Sequence, residues 1–567
     1  MKILGISCYY HDSAAVLIDD GKIVAAAEEE RFSRIKHDSG FPTKAIEFCL
    51  SKGKINAKDL NWVVFYEKPF VKFERINLSV LATAPFARQQ FVNGYKTLLK
   101  DKLWIKSVIA KNLKIESKKI LFTGHHLSHS AAAFYTSGFD SSAILTCDGV
   151  GEWTTTAWGI AKGNKIELKK EIKFPHSLGL FYSAFTQFLG FQVNEGEFKV
   201  MGLAPYGKPV FVEKIKKMIH QSTDGSFNLD LSYFNFHLSD KFSYSNKFTK
   251  LLGVAPVDPK NSDKVVQVYA DIAASAQVVL EDVLLVIAKH VHEQTKEDNL
   301  CYAGGVALNG VANTRILKEA GFKNIYIQPA AGDSGGALGA ALYVYNTLSK
   351  NPKKYKLEGA YFGSENSEDD IKKFILENGL KATKYSDGVL VEKVSSLLAR
   401  RKVIGWVRGR FEWGPRALGA RSILADPRDR KMRDLVNAKI KFREAFRPFA
   451  PVCLYEDGAK YFDADPNQQP LQYMIGVVPV NKKWQSKLGA ITHVDGTARP
   501  QFIKRSVNPM YYDVIKAFGK KSGINVLLNT SFNLKGEPIV NSAGDAYNTY
   551  MKSGIDALVL GNYLLIK

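Results

Sequence analysis

Two histidines four residues apart are the first residues in this sequence with a spacing that suggests chemistry. The stretch 124–134 reads GHHLSHSAAAF and places His125 and His129 on a predicted helix. Residues four apart share one helix face, so both imidazoles can reach one point while His126 faces elsewhere. Such a pair is half of a divalent-metal site, by the geometry that HExxH helices use. The alternative is a helix N-terminus whose polar side chains only satisfy free N–H groups.

Two aspartates can complete that coordination. Asp148, in LTCDGVGE, and Asp333, in PAAGDSGG, each follow a predicted strand. Two imidazoles with two carboxylates suit Fe(II), Mn(II) or Zn(II) and leave positions open for a ligand oxygen. Each aspartate alone could be a helix N-cap or a turn residue. Their occurrence together with the histidine pair favours a metal site.

Two further residues are candidates for the chemistry of transfer. His11 lies in the polar corner HDS after the first predicted strand, and a neutral imidazole there could take a proton from a hydroxyl. Lys36, in RFSRIKH, could hold an anionic or carbamoyl-type oxygen. The alternative for His11 is a histidine that only fixes the corner by hydrogen bonding, and the alternative for Lys36 is a charge in a run of surface charges.

The C-terminal half holds the densest group of cationic residues, in RGRFEWGPRALGARS and NAKIKFREAFRPFAP. Arginines interleaved with Gly, Pro and aromatic residues are held on turns, and guanidinium forks match phosphate oxygens. We interpret this group as a triphosphate site, with an RNA-backbone site as the alternative. The loops THVDGTARPQ and NTSFN could add phosphate and base contacts.

The strand pattern that must position these residues occurs twice. Residues 2–27 predict strand, polar corner, strand, turn and strand, and residues 142–172 repeat that plan. A duplicated meander of this kind is typical of the actin, heat-shock-chaperone and sugar-kinase folds. Two strand–loop–helix units follow at 300–317 and 324–348, and their Gly-rich turns could approach an anion.

Length and composition indicate a folded chain of more than one domain. The chain has 567 residues, of which 46% are hydrophobic. The polar residues 351–370 predict a linker, and insertions near 66–115 and 208–262 carry no readable motif. The net charge of +22 suits anionic substrates or nucleic acid, although scattered Lys and Arg favour a generally basic surface.

The cysteines and the apolar segments indicate the cellular compartment in which we expect the protein. The five cysteines are far apart in sequence, and those in apolar strands predict buried thiols and a reducing compartment. We expect no signal peptide, no membrane-spanning run of 18 apolar residues and a cytoplasmic location.

Taken together, these motifs resemble the O-carbamoyltransferase family, which carbamoylates nodulation factors, aminoglycosides and cephamycins. The resemblance runs through nearly the whole chain, in CYYHDSAAVLIDDG, EEERFSRIKHDSGFP, HHLSHSAAAFY, DGVGEW, KVMGLAPYG, GGVALNGVAN, PAAGDSGGALGAAL, RFEWGPRALGARSILADPR, KFREAFRPFAPV, HVDGTARPQ and NTSFN. It implies an α/β protein with a duplicated actin/heat-shock-chaperone/sugar-kinase-type fold at 1–350, related to the tRNA threonylcarbamoyltransferase and active in metal-bound carbamoyl transfer. It also implies an α+β domain at 371–567 that is similar to threonylcarbamoyl-adenylate synthases and forms carbamoyl-adenylate.

The resemblance further implies a reaction and a set of site residues. ATP and carbamoyl phosphate would give O-carbamoyl-adenylate, which would carbamoylate a hydroxyl of a small-molecule or sugar-containing acceptor. The carried-over residues are His125, His129, Asp148 and Asp333 as ligands of a metal, typically iron, His11 and Lys36 as catalytic residues, and Arg416, Arg447, Arg499 and Asn529 as the ATP and carbamoyl phosphate site. We expect Mg²⁺ with ATP, and neither a membrane nor a nucleic acid as partner, while a homodimer stays open.

Two competing functions remain. One is a sugar or acid kinase of the same N-terminal fold, which would need neither the His/Asp set nor an arginine-rich second domain. The other is a tRNA-modifying or RNA-binding protein related to threonylcarbamoyl transfer, which salt-dependent retention of tRNA would favour.

Overall fold

Strands and helices alternate through both halves of the chain in the computed structural model, which describes residues 1–83, 102–239, 241–262, 264–444 and 446–567. Residues 84–101 of the predicted insertion lie outside the described residues. Tertiary contacts divide the chain into two compact units. The first unit comprises Met1–Ala26 and Ser39–Leu357, and the second comprises Ala27–Asp38 and Glu358–Lys567. The assignment of one function to each predicted domain stays a prediction.

The first unit contains two five-stranded sheets of identical topology. Their orders are β3-β2-β1-β4-β5 and β8-β7-β6-β11-β12, with β9 and β10 forming a separate pair. In each sheet an antiparallel meander is extended by two parallel strands. The strands are β1 Lys2–Ser7, β2 Ala14–Asp19, β3 Lys22–Glu28, β4 Trp62–Phe65, β5 Ile120–Phe122, β6 Ser141–Cys147, β7 Thr154–Lys162, β8 Lys165–Lys173, β9 Ile219–Gln221, β10 Phe227–Leu229, β11 Asn299–Ala303 and β12 Asn324–Ile327. The predicted duplication is confirmed.

The helices of the first unit fill the connections between these strands. The predicted helices after β5, β11 and β12 are present, with bounds that differ from the prediction by a few residues at their ends. The helices are Thr43–Gly53, Pro69–Thr83, Ile105–Leu113, His125–Ser137, Leu178–Phe188, Glu197–Leu203, Val212–Ile215, Asn246–Leu252, Gln267–Thr295, Gly310–Glu319 and Asp333–Leu348. Within the described part of the chain, no helix combines the length and the apolarity needed to cross a bilayer.

Two helices at equivalent places in the two halves of this unit pack directly on each other. They are His125–Ser137 and Asp333–Leu348. A Cβ atom at Gly339 would lie 1.7 Å from the carbonyl oxygen of Ser128, so only glycine permits this approach. The close packing brings the N-terminal turns of both helices together, and both turns carry predicted metal ligands.

The second unit is built on an eight-stranded mixed sheet. Its order is β13-β22-β21-β14-β15-β20-β16-β19, and β17 and β18 form a separate pair. The strands are β13 Thr383–Lys384, β14 Ile404–Val407, β15 Arg421–Ala425, β16 Ala450–Leu454, β17 Val478–Pro479, β18 Thr497–Ala498, β19 Gln501–Ile503, β20 Val526–Ser531, β21 Ala557–Leu560 and β22 Tyr563–Ile566. The α-helices are Glu30–Ser33, Glu368–Glu377, Asp387–Ala399, Arg430–Val436, Gly458–Tyr461, Lys482–Gln485, Pro509–Ser522 and Ala543–Met551. The helices Asp387–Ala399 and Pro509–Ser522 pack together over one apolar core. The predicted α+β class of this unit is confirmed.

A short N-terminal segment, Ala27–Asp38, belongs to the second unit. Arg34 donates to the carbonyl oxygens of Ile539 at 2.6 Å and Pro538 at 2.9 Å. Glu28 accepts a hydrogen bond from the Gly414 amide at 3.0 Å, and Arg31 donates to the Gly414 carbonyl at 3.1 Å. The segment therefore contacts the loop that carries Arg416. The sequence did not indicate this assignment.

Candidate metal and anion sites

The four predicted metal ligands meet in the first unit. The Nε2 atoms of His125 and His129 lie 3.1 Å apart. Asp148 Oδ2 lies 2.9 Å from the Nε2 of His125 and 3.4 Å from that of His129. Asp333 Oδ1 lies 3.6 and 3.5 Å from the same two nitrogens. All four residues are buried, and one ligand atom from each lies within 4.8 Å of every other.

These distances fit a single divalent cation. Ligand atoms bound to one such ion at about 2.0–2.2 Å lie about 3.0–3.5 Å from one another. Both carboxylate oxygens of Asp333 are buried, and neither accepts a hydrogen bond of ordinary geometry from the described residues. A buried carboxylate in this state is costly unless a cation or donor satisfies it. The donor set therefore matches a metal of the Fe, Mn or Zn type.

The electrostatics of the cluster also favour a cation. Burial lowers the pKa of His129, but the adjacent carboxylates of Asp148 and Asp333 outweigh it and raise the pKa to about 9. Burial raises the pKa of the Asp148 carboxyl, but its hydrogen bonds to His125 and His129 hold that pKa well below its usual range. The cluster thus stabilises positive charge at its centre.

Backbone contacts set the position of the first histidine. The carboxylate of Glu152 accepts from the His125 amide at 3.0 and 3.1 Å and from the Lys68 amide at 2.8 Å. It therefore caps the helix His125–Ser137, whose N-cap residue, Gly124, has no side chain to do so. A Cβ atom at Gly151 would lie 2.9 Å from the His125 ring. The loop of residues 148–152 thus supplies one candidate ligand, Asp148, and holds another, His125, in place.

His11 lies beside this cluster, as its predicted role requires. Its Nε2 atom is 3.7 Å from Asp333 Oδ2, and its Nδ1 atom is 2.9 Å from Asp12 Oδ2. Burial lowers the pKa of His11, but Asp333 and the hydrogen bond to Asp12 raise it to about 9. A cation bound to Asp333 and Asp148 would offset part of the charge that raises this pKa. The geometry suits proton transfer; the catalytic role stays a prediction.

The predicted arginines converge at one end of the sheet in the second unit. Strands β15, β16 and β19 begin at this end, and the antiparallel strand β20 finishes there. Arg416 lies in the loop before β15, Arg447 precedes β16 and Arg499 precedes β19. Each of the three segments that lead into β15, β16 and β19 therefore places one guanidinium at this end of the sheet.

The three arginines repel one another and their cationic neighbours. Burial lowers the pKa of Arg416 to about 10, and Arg447 contributes to the same effect. Burial also lowers the pKa of Arg499, and so do Arg416 and Arg447. The Lys441 ammonium, buried beside Arg443, Arg447 and Lys36, has its pKa held well below its usual range. We call Lys36, Arg416, Lys441, Arg443, Arg447 and Arg499 the basic cluster.

Lys441 connects two segments of the site in a way that the sequence did not indicate. Lys441 donates to Ser531 O at 2.8 Å, Asn533 O at 2.9 Å and Asn533 Oδ1 at 2.6 Å, and so ties the NTSFN loop to the basic cluster. It ends the π-helical turn Asn437–Lys441, a feature common at functional sites. Both segments, KFR and SFN, could be read in the sequence. Nothing in the sequence indicates that Lys441 donates to Asn533, 92 residues further along the chain.

Asn529 and Glu412 shape the loop that carries Arg416. Asn529 Nδ2 donates to Ala417 O at 3.0 Å and to Gln501 Oε1 at 3.3 Å. Glu412 Oε1 accepts from the amides of Leu418 and Ala420, both at 2.7 Å. The structure therefore places Asn529 in contact with the loop, while its predicted contact to ATP or carbamoyl phosphate stays a prediction.

Comparison with known proteins identifies the class of this chain. The family model of the carbamoyltransferase N-terminus matches residues 2–342, and that of the carbamoyltransferase C-terminus matches residues 395–567. An uncharacterized protein of Synechocystis is 45% identical over 100% of this chain and 96% of its own length. Nodulation protein NolNO of Sinorhizobium fredii is 37% identical over 99% of this chain and 79% of its own length.

A third relative names a reaction. The 3'-hydroxymethylcephem-O-carbamoyltransferase of Amycolatopsis lactamdurans is 33% identical over 51% of this chain and 53% of its own length. This chain belongs to the carbamoyltransferase family. It is therefore an enzyme of the transferase class, and the family resemblance of its motifs is confirmed.

Proposed function

We propose that this carbamoyltransferase uses ATP and carbamoyl phosphate, through O-carbamoyl-adenylate, to carbamoylate a hydroxyl of a small-molecule or sugar-containing acceptor. The observation that carries the proposal is the basic cluster of the second unit, which stands apart in composition from the histidine–aspartate cluster of the first. One cluster suits phosphate groups and the other suits a cation. A two-step reaction uses both.

The basic cluster is built for a polyanion. Several of its cations are buried and repel one another, which lowers their pKa values. The carboxylate of Glu444, at 3.5 Å from Arg447, offsets part of this charge. Such a concentration of buried positive charge is stabilised when a strongly negative ligand binds. The triphosphate of ATP, accompanied by Mg²⁺, together with carbamoyl phosphate supplies that charge.

In the first step, water attacks the phosphorus of carbamoyl phosphate and breaks its bond to the bridging oxygen, which releases inorganic phosphate and a carbamate that keeps both carbamoyl oxygens. An oxygen of carbamate then attacks the α-phosphorus of ATP, and pyrophosphate leaves. Arg416, Arg447 and Arg499 hold the phosphate oxygens, and Lys36 holds the carbamoyl oxygen. Developing charge on the phosphates is thus met by donors already in place.

The second step transfers the carbamoyl group. The acceptor hydroxyl oxygen attacks the carbamoyl carbon, AMP leaves, and His11 takes the hydroxyl proton. His125, His129, Asp148 and Asp333 would hold an iron ion, with manganese or zinc as alternatives. Such an ion, when bound, supplies a Lewis acid that polarises an oxygen of the donor. Because one chain carries both steps, the labile adenylate need not pass to a second protein. We place the enzyme in the cytoplasm, where ATP and carbamoyl phosphate are made.

The experiment supplies ATP, carbamoyl phosphate and a panel of hydroxyl compounds: a 3'-hydroxymethylcephem, an aminoglycoside and an oligosaccharide. We expect mass spectrometry to find one carbamoylated product, and pyrophosphate release that needs both ATP and carbamoyl phosphate. Arg505→Ala is the control variant, since Arg505 pairs with Asp513 at the surface. Release of pyrophosphate from ATP without carbamoyl phosphate, or transfer without ATP, would overturn the proposal.

A further inference from the structure

Three charged side chains are buried beside the His11 corner and take no part in the mechanism above. They are Glu67, which is 0% exposed, Lys72 and Lys102. Lys102 Nζ lies 2.5 Å from Glu67 Oε1, and Lys72 Nζ lies 2.9 Å from Glu67 Oε2. Burying three charges is costly unless they are well paired, and this trio keeps one uncompensated positive charge within itself. Packing alone does not explain why these three charged side chains are buried together.

The corner next to the trio has a demanding backbone. Tyr9 has φ +65° and Asp12 has φ +53°, so two non-glycine residues adopt the left-handed conformation within four positions. Each costs of order 1 kcal/mol and persists only where surrounding contacts hold it. The Tyr9 amide donates to Ser39 O at 2.7 Å, which secures one side of the corner.

The buried trio secures the other side. Lys102 Nζ donates to the Tyr9 carbonyl oxygen at 3.3 Å. The ammonium groups of Lys72 and Lys102 lie 4.8 and 5.7 Å from the centre of the Tyr10 ring. That ring in turn contacts the His11 ring, with centroids 4.6 Å apart. Lys102 is thus linked to His11 through both the backbone and the Tyr10 ring.

We propose that Lys102, fixed by Glu67, is a positioning residue that holds the corner Tyr9–Asp12 and so aims the His11 imidazole at the metal-ligand cluster. The ammonium supplies the donor that the Tyr9 carbonyl needs, and Glu67 keeps that ammonium in place without solvent. Lys72 supports Glu67 and the Tyr10 ring but has no contact to the corner backbone among its described hydrogen bonds. The proposal extends the proposed function, because it rests on His11 being the proton acceptor.

The test reads the position of His11 directly. Zinc-loaded protein with ring-labelled histidine gives one NMR signal for each histidine, and the His11→Asn variant assigns the signal of His11. We expect Lys102→Met to shift or split this signal while those of His290 and His493 stay in place. Lys72→Met should shift it less. Lys119→Met is the matched control. Like Lys102, Lys119 donates to backbone carbonyls, but those of Lys58 and Leu60, which lie away from the corner.

Two further variants keep the test decisive if Lys102→Met does not fold. Glu67→Gln conserves volume but removes the anion, so the His11 signal should shift as it does in Lys102→Met. Lys102→Arg keeps a charged donor and should restore the signal toward its original place. A His11 signal that stays unchanged in Lys102→Met or in Glu67→Gln, with reference signals intact, overturns the proposal.

Kinetics separates this proposal from the proposed function. A displacement of about 1 Å can cost about a hundredfold in rate, so Lys102→Met should slow single-turnover carbamoyl transfer by that order and leave pyrophosphate release unchanged. In the His11→Asn background, Lys102→Met should not lower the transfer rate further. If Lys102 had a purely structural role instead, the double variant would show the product of the two separate rate losses. If no hydroxyl compound is carbamoylated, the proposed function fails, yet the NMR shift still decides whether Lys102 positions His11.

Discussion

Replacing Glu152 by glutamine should weaken metal binding although Glu152 is not a ligand. Its carboxylate accepts from the amides of His125 and Lys68 and caps the helix that carries both histidines. Hydrogen bonds to a charged group contribute about 1.5–3 kcal/mol, against about 0.5–1.5 kcal/mol for neutral ones. The lost charge at the helix N-terminus adds about 0.3–1 kcal/mol. Glutamine can still accept one hydrogen bond, so the net loss is about 1–2 kcal/mol.

This loss corresponds to roughly a tenfold weaker metal affinity, at the lower end of the 10- to 100-fold range for residues that orient metal ligands. Competition against a fluorescent zinc chelator measures the dissociation constant directly. Glu167→Gln is the control, because Glu167 is an exposed residue of β8. An unchanged zinc affinity in Glu152→Gln, with helical content intact, would refute the inference that this carboxylate fixes His125.

Four other variants address the two sites. His129→Ala should lower metal content measured by elemental analysis and abolish carbamoyl transfer, because it removes one of four ligands. Arg416→Ala and Arg447→Ala should each slow pyrophosphate release roughly ten- to a hundredfold, the effect of losing one charged hydrogen bond of about 1.5–3 kcal/mol. His11→Asn should keep pyrophosphate release but lose about 10²–10⁴-fold in single-turnover transfer. Burial raises the pKa of Glu28 to about 7 from its usual 4.5, so stability present below pH 4.5 is lost as pH rises through about 7. Glu28→Gln should remove this loss of about 3 kcal/mol, as measured by urea unfolding at several pH values.

Each of these predictions has a result that contradicts it. Unchanged metal stoichiometry in His129→Ala would remove that residue from the ligand set. Pyrophosphate release at the wild-type rate in both arginine variants would show that the basic cluster takes no part in the first step. Transfer by His11→Asn within a few-fold of wild type would leave His11 a merely structural corner residue. The same fall in stability with pH in the Glu28→Gln variant would show that another group titrates.

The sequence predicted the duplicated sheets because their signals are local. Alternating apolar residues, polar corners and Gly-containing turns marked both meanders, and the meander predicted at residues 142–172 is observed as β6, β7 and β8, from Ser141 to Lys173. The helix position of His125 and His129 followed from the same kind of local reasoning. Asp148 and Asp333 could be proposed because each follows a strand, although the convergence of Asp333 with the two histidines depends on two helices packing across a glycine at position 339.

Other features depend on contacts between distant residues and had no local signal. The segment 27–38 belongs to the second unit because Glu28, Arg31 and Arg34 bind backbone groups near residues 414 and 539. Nothing in EEERFSRIK distinguishes such contacts from a solvated charge run. Likewise, Glu152 and Lys441 act by binding main-chain groups of other elements, so their roles become visible only when those elements are placed.

In the proposed reaction, the carbamoyl group reaches its acceptor through an adenylate. Carbamoyl phosphate labelled with ¹⁸O in its carbamoyl oxygens tests this claim most directly, with ATP and a hydroxyl compound that the enzyme carbamoylates. If carbamate attacks the α-phosphorus and the acceptor later attacks the carbamoyl carbon, one carbamate oxygen remains on the released AMP. We therefore expect AMP that carries ¹⁸O, formed in equal amount to the carbamoylated product. Unlabelled AMP, or ADP in place of AMP, would contradict the account.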